Sequence, residues 1–168
     1  MKKFLVILIS VLFLLTLSVS AETYFHKGGK YLTPQLGLNS YAVPFGVSYG
    51  MGITDNIEVG GTVMAYFWSD VGYSYSVITP ALDVLYHFTT LNLESFDLFA
   101  GLNVGYAIVS WNSDFSSSGS YGSGLFLSPN IGVRYYFNKK FAVSFRAYFS
   151  AVGDLSGGGG LLGLTIVM

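Results

Sequence analysis

The sequence predicts an all-β fold, namely a transmembrane, antiparallel up-and-down β-barrel of eight strands. Charged residues make up only 10% of the 168 residues, against roughly 25% in soluble globular proteins. After the first 21 residues, large apolar residues alternate with glycine, serine or proline, as in residues 43–53, and a period of two indicates strands. No apolar run in this part of the chain reaches the roughly 20 residues that a membrane-spanning helix needs.

The N-terminus has the pattern of a secretory signal peptide. Lys2 and Lys3 precede an apolar run over residues 4–17, and small residues follow it up to Ala21. A membrane anchor is the alternative, but the run is shorter than a spanning helix. We therefore predict a signal peptide over residues 1–21 and one barrel domain over residues 22–168.

Charge and cysteine content exclude several classes of protein. Removal of Lys2 and Lys3 leaves six basic and nine acidic residues. The resulting net charge of −3 argues against a nucleic-acid partner. The chain has no cysteine, so it is not a disulfide-stabilised scaffold.

Turn chemistry divides the barrel domain into eight predicted strands. They cover residues 30–39, 43–53, 57–68, 77–88, 96–110, 125–137, 141–149 and 159–168. The connections at 54–56 and 138–140 are tight turns, whereas residues 111–124 form a long polar loop rich in serine and glycine. Bacterial outer-membrane barrels show the same asymmetry, with short turns on the periplasmic side.

The two faces of these strands differ in residue size. One face collects large apolar residues, such as Phe45, Val47 and Tyr49, and the other collects glycine and small polar residues. The second face also takes every charge buried within a strand: Glu58, Asp83, Asp97, Arg134 and Arg146. A soluble fold would turn this nearly uncharged face to water, which is implausible. A membrane barrel explains both faces, because lipid covers the large residues and the small ones fill the lumen.

The sequence resembles the small eight-stranded outer-membrane β-barrels of the OmpX and OmpA-barrel type, also called the porin-family outer-membrane β-barrel domain. Gly163, Ile166 and Met168 match the glycine and the two hydrophobic positions of that family's C-terminal assembly signal. The resemblance implies an integral outer-membrane protein, monomeric and without cofactor or metal. Its expected partners are outer-membrane lipid, lipopolysaccharide, periplasmic chaperones and the outer-membrane assembly machinery.

The charges of the second face are the candidate functional residues. An eight-stranded barrel has an interior just wide enough for side chains to fill, and a charge buried there is costly unless it is paired. We predict that Arg146 pairs with Asp83, and Arg134 with Glu58 or Asp97, so that the network closes the lumen. The alternative is a narrow porin-like path for ions or small solutes, lined by the same charges.

A lipid A-modifying enzyme is the second alternative, because some barrels of this size are deacylases or acyltransferases. His87 and Thr89, with Glu94, loosely resemble the His-x-Ser of the deacylases. However, they lie at the predicted periplasmic end, away from a substrate in the outer leaflet. A polar residue at a strand end is the simpler interpretation of His87, and we predict no catalytic site.

Overall fold

The computed structural model describes residues 24–39, 43–70, 73–91, 93, 95–113, 116–119, 122–150 and 157–168. The predicted signal peptide lies outside these residues. The strands are β1 Lys30–Asn39, β2 Phe45–Gly52, β3 Ile57–Asp70, β4 Tyr73–His87, β5 Phe96–Ser113, β6 Ser116–Gly119, β7 Gly124–Asn138, β8 Phe141–Ser150 and β9 Gly157–Val167. A single 3-10 turn, Thr89–Leu91, lies between β4 and β5. Among the described residues there is no helix with the length and apolarity to cross a membrane.

Eight long strands close into one antiparallel barrel, as the sequence predicts. Each long strand pairs with the long strands that precede and follow it in the chain. The short strand β6 pairs with the end of β5, and β7 is the next long strand after β5 around the barrel. The first and last strands complete the ring, with Tyr31 opposite Val167 and Asn39 opposite Gly159. Because every long strand has a partner on both sides, the barrel has no free edge.

The long loop over residues 111–124 is the main error of the strand prediction. Strand β5 continues to Ser113, pairing there with Tyr73 of β4, and β6 pairs with the end of β5. Strands β3 and β4 are likewise longer than predicted. The β4 extension, Tyr-Ser-Tyr-Ser over residues 73–76, still alternates in residue size, whereas serine and asparagine obscure the period of two at the end of β5.

We call the end of the barrel with the short connections the turn end, and the opposite end the loop end. At the turn end, Thr54 Oγ1 accepts a bond from the backbone nitrogen of Ile57 at 2.9 Å. Asn138 Oδ1 accepts bonds from the backbone nitrogens of Lys140 and Phe141 at 2.8 and 3.0 Å. These side-chain oxygens bond backbone nitrogens that the strand ladder does not pair at the turn. Such bonds favour a turn at these positions.

The outward face of the barrel is apolar on all sides. Leu125 is 77% exposed and Leu82 is 71% exposed. The exposed large residues also include Phe45, Val47, Tyr49, Val84, Tyr86, Val104, Tyr106, Ile108, Leu127, Ile131, Phe145, Leu162 and Leu164. So large a contiguous apolar surface is unsuited to water and suited to a lipid bilayer.

Candidate functional site: the barrel interior

The lumen is divided along its length into three parts. Nearest the turn end lies a charged layer of Glu58, His87, Asp97 and Arg134. A belt of hydrogen-bonded polar side chains follows at mid-height. The loop end holds an apolar chamber, built around Val77, Ala107, Val109 and Phe126.

In the charged layer, Arg134 of β7 reaches across the lumen to Glu58 of β3. Its Nη1 lies 2.7 Å from Oε2, and its Nη2 lies 3.1 Å from Oε1. Asp97 Oδ2 is 3.8 Å from the same Nη1. All three side chains are buried. Of the two partners predicted for Arg134, Glu58 therefore forms the bidentate pair, which is the strongest geometry for these groups, and Asp97 makes a longer contact.

His87 completes this layer and is the last residue of β4, a polar residue at a strand end as the sequence predicts, but its contacts with two carboxylates were not predicted. It is fully buried. Its Nδ1 lies 2.7 Å from Asp97 Oδ1, and its Nε2 lies 3.2 Å from Glu58 Oε2. The second contact, from Nε2 to Glu58, does not have the geometry of a hydrogen bond. Alternation along β4 predicts this inward orientation, because His87 shares the parity of Asp83 on the same strand.

Among the described residues at this end of the barrel, Thr89 is bonded to Asn56 and His87 lies against Asp97 and Glu58. Thr89 Oγ1 accepts a bond from Asn56 Nδ2, so its hydroxyl is engaged with the neighbouring turn. Glu94 lies outside the described residues. Within the described part of the chain, no group of three or more acidic or histidine side chains is arranged to hold a metal ion.

The segment before β1 caps the charged layer. The Phe25 ring stacks on the His87 ring with 3.6 Å between centroids and 6° between planes, and it lies 5.4 Å from the Tyr31 ring. Backbone bonds between Gly28 and Gly52, and between Gly52 and Gly29, hold this segment at 2.7 and 2.9 Å. The positive φ of Gly28, 84°, makes the turn that brings Phe25 into the lumen. Nothing in the sequence pattern indicated this cap.

Phe99 separates the two arginines of the interior. Its ring centroid lies 5.2 Å from Arg134 Cζ and 5.5 Å from Arg146 Cζ, distances at which a cation and a ring attract each other. Gly132 on β7 gives the ring its space, because a Cβ there would overlap Phe99 and lie 2.6 Å from the Phe145 carbonyl oxygen.

The polar belt crosses six neighbouring strands. Its members are Gln35, Ser48, Thr62, Asp83, Asn103 and Asn130. Gln35 donates to Ser48 at 3.0 Å, and the Ser48 and Thr62 hydroxyls lie 2.7 Å apart. Thr62 and Asn103 both donate to Asp83, and Asn130 donates to Asn103. The belt gives hydrogen-bond partners to side chains that would otherwise be buried without them, although Asn130 Oδ1 has none among the described residues.

Arg146 has a looser partner than Arg134. Its Nη1 lies 3.8 Å from Asp83 Oδ2, so the predicted pair is an ion pair beyond hydrogen-bond distance. Above it, in the apolar chamber, lies a cavity of about 100 Å³. Arg146 forms part of the cavity floor, Val77 and Phe126 are in its walls, and Ser150 and Gly157 are at its rim.

The residues of the predicted assembly signal lie near the end of β9. Gly163 is on the inward face, where a Cβ would meet Thr33 and Ser144. Met168 is exposed, and its backbone nitrogen donates to the Lys30 carbonyl at 2.9 Å. Alternation places Ile166 on the outward face with Met168.

Comparison with known proteins identifies the fold. No known protein-family profile matches the sequence, and no curated protein matches it. Among solved structures, the N-terminal β-barrel domain of OprF from Pseudomonas aeruginosa is similar, with a TM-score of 0.63 at 18% identity, over 84% of this chain and 98% of that chain. Ail, the attachment invasion locus protein of Yersinia pestis, is similar with a TM-score of 0.61 at 15% identity, over 84% of this chain and 99% of that chain.

Neisserial surface protein A gives a TM-score of 0.60 at 12% identity, over 83% of this chain and 94% of that chain. All three are eight-stranded outer-membrane barrels. The resemblance seen in the sequence is therefore confirmed for the fold.

Proposed function

We propose that this chain is an integral outer-membrane barrel without catalytic activity, in a structural or surface-interacting role, whose lumen is closed. The apolar outward face and the outer-membrane origin of the similar structures support this location. The closed lumen is supported above all by the bidentate pair of Arg134 and Glu58. His87 lies against Glu58, and the Phe25 ring stacks on the His87 ring. In a barrel of eight strands, side chains of this size fill the interior.

The engagement of His87 supports a role without catalysis. Both of its ring nitrogens face carboxylate oxygens, and the nearby Thr89 hydroxyl bonds Asn56. A nucleophile must lie within hydrogen-bond reach of its base. Here Thr89 and His87 each contact other residues and not each other.

The closed lumen is tested by single-channel recording in a planar bilayer. The protein is the chain from Glu22 onward, refolded, with folding checked by different gel migration before and after boiling. We expect no conductance steps. A triple variant, Phe25→Ala, Glu58→Ala and Arg134→Ala, removes the cap and the charge pair, and we expect it to conduct.

The matched control is Phe67→Ala, which removes an exposed ring of the outward face and should leave the barrel silent. Stepwise conductance from the folded parent chain would replace the closed barrel with the narrow porin-like channel. A silent triple variant that still folds would also count against the seal, because another part of the interior would then be blocking the lumen.

We also propose the partners that the resemblance implies. Outer-membrane lipid and lipopolysaccharide would cover the apolar face of a monomer, and the assembly machinery would read Gly163, Ile166 and Met168 after delivery by periplasmic chaperones. Ile166→Ser should then reduce membrane assembly in cells while leaving refolding in detergent unchanged. Leu162→Ser, on the same strand and outside the signal, should assemble normally. Equal losses for both variants would reject a specific signal.

A further inference from the structure

We infer that the apolar chamber is a binding pocket for a short-chain carboxylate, which enters from the loop end and places its carboxylate on Arg146. This inference rests on the proposed closed lumen, because a seal at the turn end makes the chamber a blind pocket. The argument depends on the walls of the cavity, on the state of Arg146 and on the size of the space.

The walls are apolar where the lumen of an outer-membrane barrel is ordinarily polar. Val77 is 1% exposed, and Ala107 and Phe126 are also buried. The cavity between them is lined further by Pro44, Met64 and Leu161. Cavities with apolar walls hold apolar groups in preference to water, so the walls select a ligand with a hydrocarbon part.

The floor carries the positive charge of Arg146, whose acidic partner among the described residues is held only loosely. Arg146 is 7% exposed, and its ion pair with Asp83 is long, at 3.8 Å. Thr62 and Asn103 already donate to the Asp83 carboxylate. A guanidinium offers five N–H donors in a fork that matches a carboxylate, and Arg134 shows the same fork filled by Glu58.

The sign of the floor favours an anion. Arg146 lines the cavity, and Asp83 is not among the described residues that do so. The other polar side chains among the described lining residues, which include Thr62, Asn103 and Ser128, are uncharged. A ligand in the cavity therefore meets the guanidinium before it meets the carboxylate below.

The size of the cavity sets the length of the ligand. A cavity of about 150 Å³ holds benzene. The cavity in this chain, with a volume of about 100 Å³, therefore suits a carboxylate with a chain of a few carbons. The lining extends to Ser150 and Gly157, where β8 ends and β9 begins. Butyrate is therefore a suitable probe.

The experiment titrates butyrate into the refolded chain in detergent micelles and follows its ¹³C-labelled methyl groups by NMR. We expect saturable shifts at the Val77, Ala107 and Leu161 methyls. The Val47 methyl groups, on the lipid-facing side, report partition of butyrate into the micelle, and their chemical shifts should not change. Butan-1-ol, with a similar chain and no charge, should bind at least tenfold more weakly, and butylammonium should not bind.

Arg146→Gln should weaken butyrate binding at least tenfold, whereas Lys140→Gln, which removes an exposed cation at the turn end, should leave it unchanged. If Arg146→Gln does not fold, Ala107→Leu fills the wall without touching the arginine and should abolish the Val77 shift. No saturable shift with butyrate in the parent chain, or equal binding of butan-1-ol, overturns the inference whatever the variants do.

Failure of the pocket and failure of the seal give different results. If the chain shows no conductance in the bilayer and does not bind butyrate, the binding pocket is rejected and the closed lumen is retained. If the chain conducts and also binds butyrate, the closed lumen and with it the blind pocket are rejected, and the carboxylate site on Arg146 lines a pathway instead.

Discussion

Arg134 and Glu58 lie 76 positions apart in the chain, on strands that are not neighbours, and their side chains meet in a fork across the lumen at 2.7 and 3.1 Å. The contact joins β3 to β7 through the interior, in addition to the hydrogen-bond ladder around the wall. His87 and Asp97 connect β4 and β5 to the same fork. The layer therefore cross-links four strands.

Breaking this fork should destabilise the barrel strongly. We expect Arg134→Met to lower the free energy of unfolding by roughly 3–5 kcal/mol, because it leaves a buried carboxylate without its partner. The measurement is denaturant unfolding in lipid vesicles. The double variant Glu58→Leu with Arg134→Met should recover part of the loss, and Lys140→Met serves as the exposed control. Strictly additive losses would mean that the two residues are not coupled.

The space beside Phe99 should also be sensitive to substitution, with a smaller loss of stability. Gly132→Ala places a methyl group against the ring and the Phe145 carbonyl, and such overpacking typically costs about 1–3 kcal/mol. Gly124→Ala is the matched control on the same strand, because a Cβ there has nothing within 4 Å. Unfolding in the same vesicles compares them. Similar stabilities for the two variants would show that the Phe99 ring moves aside freely.

The cap can be tested by histidine acylation, because the chain has only two histidines. His26 is exposed and His87 is fully buried under Phe25. In the folded protein, diethyl pyrocarbonate should therefore modify His26 alone, as read by peptide mass spectrometry. Phe25→Ala should expose His87 to the reagent, with His26 modified as before. Rapid modification of His87 in the parent chain would contradict the cap.

Insertion into lipid predicts a cost for charge on the outward face. Leu82 pairs with Gly61 and Val104 and points away from the lumen. An arginine at the midplane of a membrane barrel costs roughly 2–4 kcal/mol, so we expect that loss for Leu82→Arg. Thr90→Arg, at the exposed turn after β4, should change stability little. If both variants behaved alike in vesicles, Leu82 would not lie in lipid.

The fold and the inward faces could be predicted because alternation alone decides which way each side chain points. Alternation leaves two quantities open: the stagger of one strand against the next, and the distance a long side chain reaches. The partners of Arg134 were therefore left open between Glu58 and Asp97, which lie on different strands.

Aromatic residues account for most of what the sequence analysis missed. Tyr31, Phe99 and Tyr136 are almost fully buried, whereas large residues had been associated with lipid. Their inward parity was readable, since Phe99 follows Asp97 by two positions and Tyr136 follows Arg134 by two. Phe25 had no such signal, because it precedes the first strand and reaches the lumen through a turn at Gly28.

The pairing of β1 with β9 has a consequence for the time course of biogenesis. On a chain made from its N-terminus, β1 emerges first and its partner emerges last, so one side of β1 stays unpaired until β9 is available. An unpaired strand edge invites association with other chains. A barrel of this topology therefore carries open strand edges until its last strand pairs, and loss of β9 would leave β1 and β8 each with one edge permanently open.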